Sequence, residues 1–191
     1  MSELRDAAWK GDLEEVRRLL DKGAEVDERD GNGASGLHHA AFGGHVEVLR
    51  LLLDRGAYIN ATDLGGLTPL HAAVFNSYAE VAELLVARGA NVNARSRDGA
   101  PPLHYVAGLG CTRTIKVLMD AGADANLRDY AGNTALQWAV RSDRAEAASL
   151  LLDAGADANV YTEECDTPLS EALREGHSHT AELLRARGGV V

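Results

Sequence analysis

The chain has 191 residues and a formal net charge of −10 at pH 7. An acidic balance disfavours nucleic acid and anionic membranes as partners, because phosphate groups are bound by an excess of Lys and Arg. No apolar run approaches the roughly 20 residues that a membrane-spanning helix needs, and residues 1–5 open no signal peptide. We therefore expect a soluble chain that is not exported.

Two residue types recur along the chain at intervals of 33 residues without a slip. An unbroken period of this length is typical of stacked supersecondary units. It predicts six repeats with the bounds 1–29, 30–62, 63–95, 96–128, 129–161 and 162–191. The two series are Leu4, Leu37, Leu70, Leu103, Leu136, Leu169 and Gly23, Gly56, Gly89, Gly122, Gly155, Gly188.

The first repeat lacks a leading turn and starts with a predicted helix from Leu4 to Trp9. A second helix is predicted from Leu13 to Lys22, with Val16 on its buried side. We interpret residues 1–29 as an N-terminal cap. The second repeat opens with the turn signal Asp30-Gly31-Asn32-Gly33 and continues with the same pair of helices.

The start of the first helix differs between the later repeats. Thr68 is a natural N-cap and Pro69 suits the first helical position, whereas Pro101-Pro102 in the fourth repeat lacks the capping hydroxyl. We expect the third and fourth repeats to meet less regularly. The sixth repeat restores Thr167-Pro168 and ends without another turn, so we interpret residues 162–191 as a C-terminal cap.

One position of the first helix separates the end repeats from the inner ones. It is polar at both ends, in Asp6 and Glu171, as expected if terminal repeats present a polar outer side. The inner repeats carry His39, Ala72, Tyr105 and Trp138 there.

The third repeat carries the motif Thr68-Pro69-Leu70-His71-Ala72-Ala73, followed by Gly89-Ala90-Asn91-Val92-Asn93, and the second supplies Gly44-His45. These residues resemble the ankyrin repeat, and the resemblance covers essentially all of residues 1–191. It implies an all-α fold, an ankyrin-repeat solenoid of stacked antiparallel helix pairs with β-turn tips, forming a single domain. It also implies that partners bind at the turn tips and on the exposed side of the first helix, in a concave groove.

The seven histidines raise the hypothesis of a metal site or a general base. His38, His71 and His104 share one repeat position, and His45 and His177 share another, so the repeat framework explains five of the seven. None of the others has a ligand at a recognisable zinc spacing. We expect no metal site and no cofactor.

Acidic and amide side chains also recur with the repeat. Asp30, Asp63 and Asp129 start the turns, which suits short side chains that hydrogen-bond the turn backbone rather than catalytic carboxylates. The same interpretation covers Asn60, Asn93, Asn126 and Asn159. Because there is also no Walker loop, dinucleotide fingerprint or nucleophile elbow, we predict no catalytic residue and no enzymatic activity.

The two cysteines, Cys111 and Cys165, lie two repeats apart. That spacing corresponds to about 20 Å for helices packed about 8–10 Å apart, well beyond the roughly 7 Å Cα limit of a disulfide. We expect both to be reduced thiols, which suits the cytoplasm or the nucleus.

The helix position after the Ala-Ala pair holds an aromatic residue in three adjacent repeats, namely Trp9, Phe42 and Phe75. In the other repeats it holds Gly108, Arg141 and Arg174. If this position is exposed, the rings form an aromatic stripe that grades into arginine. The alternative is that the rings fold back onto neighbouring repeats.

The residue just before a turn is an arginine at Arg29, Arg95 and Arg128, and Arg97 lies in the turn that follows Arg95. We call these four residues the basic column. It favours a partner with acidic features beside apolar ones, and the alternative is a solvated surface column. Lys22, Arg55, Arg88 and Arg187 end the second helices, where the helix dipole favours cations, and we assign them no function.

The sequence therefore predicts a monomeric, non-catalytic protein–protein interaction module that binds neither nucleic acid nor membrane. One alternative is a regulatory or targeting segment of a larger enzyme or effector, and another is a nucleic-acid binder that uses the arginine column. The candidate partner-binding residues are Trp9, Phe42, Phe75, Asn76, Leu64, Leu67, Arg95, Arg97, Leu109, Arg128, Tyr130, Asn133, Arg141 and Tyr161.

Overall fold

A computed structural model describes residues 3–162 and 166–191 of the chain. Within these ranges the only β-type pairing is an isolated antiparallel bridge between Arg29 and Ser35, so the predicted all-α class is confirmed. The described residues form twelve helices: α1 Glu3–Lys10, α2 Leu13–Asp21, α3 Gly36–Gly43, α4 Val46–Asp54, α5 Pro69–Phe75, α6 Ala79–Ala87, α7 Pro102–Leu109, α8 Thr112–Asp120, α9 Ala135–Arg141, α10 Ala145–Asp153, α11 Pro168–Arg174 and α12 Ser178–Ala186.

The chain divides into two compact units, Met1–Arg97 and Asp98–Val191. In the first unit α1, α3 and α5 pack side by side in one layer, and α2, α4 and α6 form a second layer behind them. In the second unit α7, α9 and α11 form the first layer, and α8, α10 and α12 form the second. Each unit therefore contains three helix pairs, while the single domain over 1–191 stays a prediction.

The core of each unit is built from the periodic leucines. The leucine series that begins at Leu4 is at most 2% exposed in all six repeats. A second series lies on the second helices and is fully buried at Leu52, Leu85, Leu118 and Leu151. Because each helix layer contributes one leucine per repeat, the 33-residue period of the sequence is the period of the core.

The periodic glycines end the second helices, and all six have φ between 83° and 91°. A Cβ atom at any of these six positions would meet nothing within 4 Å. Glycine is therefore needed there for its left-handed backbone conformation and not for space.

The helix starts follow the sequence expectation. The Thr68 hydroxyl accepts a hydrogen bond from the His71 N–H at 3.4 Å, and Thr167 caps Ser170 in the same way at 3.1 Å. At α7 the N-cap is Pro101, which has no side-chain hydrogen bond to the helix. The loss of the capping hydroxyl in the fourth repeat is thus confirmed.

The basic residues that end the second helices were assigned to the helix dipole, and that assignment is incomplete. The Arg55 guanidinium binds the Asp21 carboxylate at 2.9 Å, and Arg88 binds Asp54 at the same distance. In the second unit Arg187 binds Asp153 at 2.8 Å. Each ion pair joins the second helices of consecutive repeats, so these arginines hold neighbouring repeats together.

The turn aspartates act as predicted, whereas the asparagines act differently. Asp30 Oδ1 accepts hydrogen bonds from the N–H groups of Asn32 and Ala34, within its own turn. Asn60 Oδ1 instead accepts from the N–H of Asn91, 31 residues further along. Asn126 and Asn159 bind backbone groups of the following repeat in the same way, so these three asparagines bridge consecutive repeats.

The framework histidines have structural partners. His38 Nε2 donates to the Leu67 carbonyl at 3.1 Å, and His45 Nε2 donates to the Trp9 carbonyl at 2.9 Å. His177 Nδ1 donates to the Val140 carbonyl at 2.9 Å. In the part of the chain that the structure describes, no three His, Cys, Asp or Glu side chains converge as metal ligands.

The two polar residues of the end repeats differ in exposure. Asp6 is exposed, as expected for an outer face, but Glu171 is only 1% exposed. Glu171 Oε1 accepts a hydrogen bond from Arg141 Nε at 2.7 Å, which offsets the burial of its charge. The expectation of a polar outer side at Glu171 is therefore wrong.

Cys111 is half-buried and forms no disulfide, while Cys165 lies outside the described residues. None of the helices that the described residues form has both the length and the apolar character needed to cross a membrane.

Candidate partner-binding site

Three aromatic residues of the first unit lie at the C-terminal ends of α1, α3 and α5. Trp9 is 49% exposed, Phe42 40% and Phe75 36%, and we call these three residues the aromatic cluster. The Trp9 ring stacks on the Phe42 ring, with ring centroids 5.4 Å apart and planes inclined by 18°. The cluster thus combines contacts between neighbouring repeats with a large exposed apolar surface.

The aromatic cluster borders a cavity of about 280 Å³ on the first unit. Its walls come from the first helices and from the turns that precede them, so that both predicted parts of the binding face meet here. Besides the aromatic cluster, the cavity is lined by Ala34, His38, His39, Asp63, Leu67 and Ala72.

His39 holds the Trp9 ring from the side. Its ring packs edge-on against Trp9 with centroids 5.8 Å apart, and its Nε2 donates to Asp30 Oδ2 at 3.0 Å. Burial opposes ionisation of Asp30, but hydrogen bonds from the turn amides and from His39 outweigh it and lower the pKa of the carboxyl. The sequence analysis left His39 unassigned, although its spacing of three residues from Phe42 places both on one helix face.

Polar side chains from the next repeat hold the carbonyl groups behind the aromatic rings. Asn76 Nδ2 donates to the Phe42 carbonyl at 2.9 Å, and His45 donates to the Trp9 carbonyl. These carbonyls belong to the last turns of α3 and α1, where backbone acceptors lack partners within the helix. Asn76, a candidate partner-binding residue, is exposed and also has this structural role.

The turn tips of the first unit are joined by backbone hydrogen bonds. The Leu64 N–H donates to the Asn32 carbonyl at 2.8 Å, and the Arg97 N–H donates to the Gly65 carbonyl at 2.7 Å. Leu64 is 62% exposed at a tip, whereas Leu67 is half-buried in the cavity wall. The turn tips therefore form a continuous edge beside the aromatic cluster, which we call the tip edge.

Arginines of the basic column contact this edge. Arg29 Nη1 donates to the Gly33 carbonyl at 3.2 Å and also to the Thr62 carbonyl, and the Arg97 guanidinium donates to the Leu64 carbonyl. Arg29, Arg95 and Arg97 are all exposed. Sequence reasoning did not foresee that these arginines connect consecutive turns, because the bonds join residues 33 positions apart.

The remaining candidates belong to the second unit. Five of them are exposed, namely Leu109, Arg128, Tyr130, Arg141 and Tyr161. The Tyr130 N–H donates to the Asp98 carbonyl at 2.9 Å, and Arg128 Nη1 donates to the Tyr161 carbonyl at 3.2 Å. The turn tips of this unit are therefore connected as in the first unit.

Asn133 does not fit a partner-binding role. It is 6% exposed, its Nδ2 donates to both carboxylate oxygens of Asp129 at 3.2 Å, and its Oδ1 accepts from Arg141 at 3.3 Å. Its side chain is occupied by the turn that it belongs to. The prediction that Asn133 contacts a partner is corrected accordingly.

Residues 4–96 and 93–162 match a protein-family model described as ankyrin repeats, in three copies. No curated protein matches the chain.

Proposed function

Because the chain belongs to the ankyrin repeat family, whose members are in general protein-interaction modules, we propose that it binds a protein partner at the aromatic cluster and the adjoining turn tips. The observation that carries this proposal is the partial exposure of Trp9, Phe42 and Phe75 in three adjacent repeats around one cavity. Exposed aromatic residues at the centre of an apolar patch are typical of interface hot spots.

The partner places a side chain in the cavity, against the aromatic cluster, and acidic groups at the tip edge. Arg29, Arg95 and Arg97 are exposed there, and their charges complement a partner with acidic features. The guanidinium groups of Arg29 and Arg97 stay charged when they donate to turn carbonyls, and these hydrogen bonds keep the two charges at the tip edge. The side chain in the cavity supplies most of the affinity through its contacts with the aromatic cluster, while the arginines steer association.

The module acts without catalysis and as a monomer. The turn carboxylates are engaged by their own turns, and the exposed candidates are apolar, amide or basic groups that suit recognition better than proton transfer. The thiol form of Cys111 supports placement in a reducing compartment, the cytoplasm or the nucleus.

A peptide-display selection on the intact chain tests the proposal. Peptides that use the cavity should lose about thirtyfold in affinity on Phe42→Ala, the equivalent of about 2 kcal/mol. Tyr58→Ala is the matched control, because Tyr58 is another exposed aromatic residue of the same unit, does not line the cavity and should leave binding unchanged. Selected peptides that bind the Phe42→Ala variant as tightly as the parent would contradict the proposal.

A further inference from the structure

The turn aspartates of the second and fifth repeats use both of their carboxylate oxygens. In each, Oδ1 accepts hydrogen bonds from two turn amides. Asp30 Oδ2 accepts from His39 Nε2 at 3.0 Å, and Asp129 Oδ2 accepts from Trp138 Nε1 at 2.9 Å. In both repeats the donor stands nine residues after the aspartate.

The third repeat lacks that donor. Asp63 Oδ1 accepts from the N–H groups of Gly65 and Leu67, both at 2.8 Å, as in the other turns. The residue nine positions later is Ala72, whose side chain cannot donate. Within the described ranges Asp63 Oδ2 accepts no hydrogen bond. Asp63 and Ala72 both line the cavity beside the aromatic cluster, and Oδ2 of Asp63 lacks the donor that the equivalent aspartates have.

The charges around the cavity favour a cation in that place. The Asp30 carboxylate is engaged by His39, and the Arg29 guanidinium, which keeps its charge while it donates to two turn carbonyls, does not line the cavity. Burial lowers the pKa of His38, which keeps its ring neutral at pH 7. Among the residues that line the cavity, Asp63 therefore carries a charge that no group of opposite charge balances. The aromatic rings that line the same cavity also attract cations.

The size of the cavity suits a single long side chain. Its volume of about 280 Å³ lies just under the range of roughly 300–1,000 Å³ typical of small-molecule sites. An aliphatic stem can pack against Leu67 and Ala72, and the charged end then reaches Asp63. Lysine and arginine combine such a stem with a cationic end.

We propose that the cavity takes a lysine or arginine side chain of the protein partner, with Asp63 as its counter-ion and Trp9 and Phe42 as its aromatic walls. This inference rests on the proposed function and specifies the anchor residue of the partner. Acidic residues that flank this anchor in the partner would meet Arg95 and Arg97 at the tip edge. The bound segment is thus one cationic side chain within an otherwise acidic or neutral stretch.

Two small probes test the inference directly by nuclear magnetic resonance. Nα-acetyl-lysine methylamide carries the cation, and its Nε-acetyl derivative has a longer neutral end. The lysine probe should shift the Trp9 indole N–H resonance in a saturable way and bind about tenfold more tightly than the neutral probe, in line with an ion pair plus a cation–π contact. Trp138, the other tryptophan of the chain, serves as the internal reference.

Substitutions in the chain locate the counter-ion. Asp63→Asn keeps an oxygen for the turn amides of Gly65 and Leu67 and removes the charge, so the lysine probe should weaken about tenfold and the neutral probe should not. Ala72→His copies the donor that Asp30 has in His39 and should also weaken the lysine probe. Asp129→Asn, the same change in the second unit, should leave the Trp9 shift unaltered.

The outcomes separate this inference from the proposed function. Equal binding of both probes, or no shift of Trp9 with either, would overturn the cationic anchor. Display-selected peptides that need Phe42 but dock a leucine or phenylalanine would also overturn it, while the proposed function would stand. Peptides that ignore the Phe42→Ala change would instead remove the proposed function, whatever the lysine probe does.

Discussion

The backbone N–H of Ser35 donates a hydrogen bond to Nδ1 of the buried His38 ring at 3.2 Å, and Nε2 of the same ring donates to the Leu67 carbonyl. This arrangement requires the neutral imidazole, because a proton on Nδ1 would face the Ser35 donor. Burial lowers the pKa of His38, and this effect outweighs the raising effects of the Leu67 carbonyl and the Asp63 carboxylate.

The first prediction is a loss of stability as the pH falls. Below the unfolded pKa of about 6.5 the unfolded chain takes up a proton at His38 before the folded chain does. The free energy of unfolding therefore falls as the pH drops through about 6.5 and levels off below the lowered folded pKa. Urea unfolding at pH 7 and pH 5 measures this fall.

His38→Gln is the matched variant for that measurement. Gln137 occupies the equivalent position of the fifth repeat, where its Oε1 accepts from the Thr134 N–H at 2.9 Å and its Nε2 donates to the Asp166 carbonyl at 3.4 Å. The variant should keep both hydrogen bonds and lose less stability than the parent between pH 7 and pH 5. An equal fall in both proteins would show that His38 does not carry the effect.

The second prediction separates the exposed aromatic cluster from the core. Phe42 is partly exposed and stacks on Trp9, so Phe42→Ala should lower the free energy of unfolding by about 1–2 kcal/mol, from the aromatic pair and the buried part of the ring. Leu37→Ala, in the same helix and fully buried, should cost about 2–5 kcal/mol. If the Phe42 variant loses as much as the Leu37 variant in urea unfolding, the ring belongs to the core.

The third prediction concerns the glycine that ends α6. Gly89 has φ of 88°, so Gly89→Ala should lower the free energy of unfolding by about 1–2 kcal/mol. Gly31→Ala is the matched control, because a Cβ there also meets nothing within 4 Å while φ is not positive. Thermal unfolding of both variants should show a clear loss for Gly89 and little change for Gly31. Equal losses would mean that backbone conformation is not the reason for the glycine.

The sequence predicted those features whose cause lies within one repeat. Leu37 and Gly89 recur every 33 residues because each repeat buries the same leucine and turns at the same glycine. The Thr68 cap and the Asp63 turn bonds depend on residues two to four positions away, so local reasoning was sufficient. The exposure of the aromatic cluster stayed open between two alternatives, because it depends on how each ring packs against the neighbouring repeat.

Features that depend on two repeats at once were missed. Arg88 reaches Asp54 only because stacking brings positions 34 residues apart together, and the repeat pattern alone does not give that offset. Asn133 and Glu171 are both buried, and the exposed Arg141 donates a hydrogen bond to each of them. The open carboxylate of Asp63 became visible only when the partners of the equivalent aspartates were known.

The last prediction concerns the arginines at the tip edge of the first unit. Arg97 has two roles, because its guanidinium donates to the Leu64 carbonyl and its charge faces solvent. Arg97→Ala removes both, whereas Arg97→Lys keeps the charge and loses the planar group that suits the carbonyl contact.

The test uses a display-selected acidic peptide that needs Phe42. With this peptide, Arg97→Ala should slow association and reduce its salt dependence, and Arg97→Lys should keep the association rate and its salt dependence near the parent values. Stopped-flow association at low and high salt provides the measurement, with Arg50→Ala as the control because Arg50 is an exposed arginine on α4 that does not belong to the tip edge. If the lysine variant slows association as much as the alanine variant, the tip contact rather than the charge limits binding, and the assigned steering role of the arginine edge is wrong.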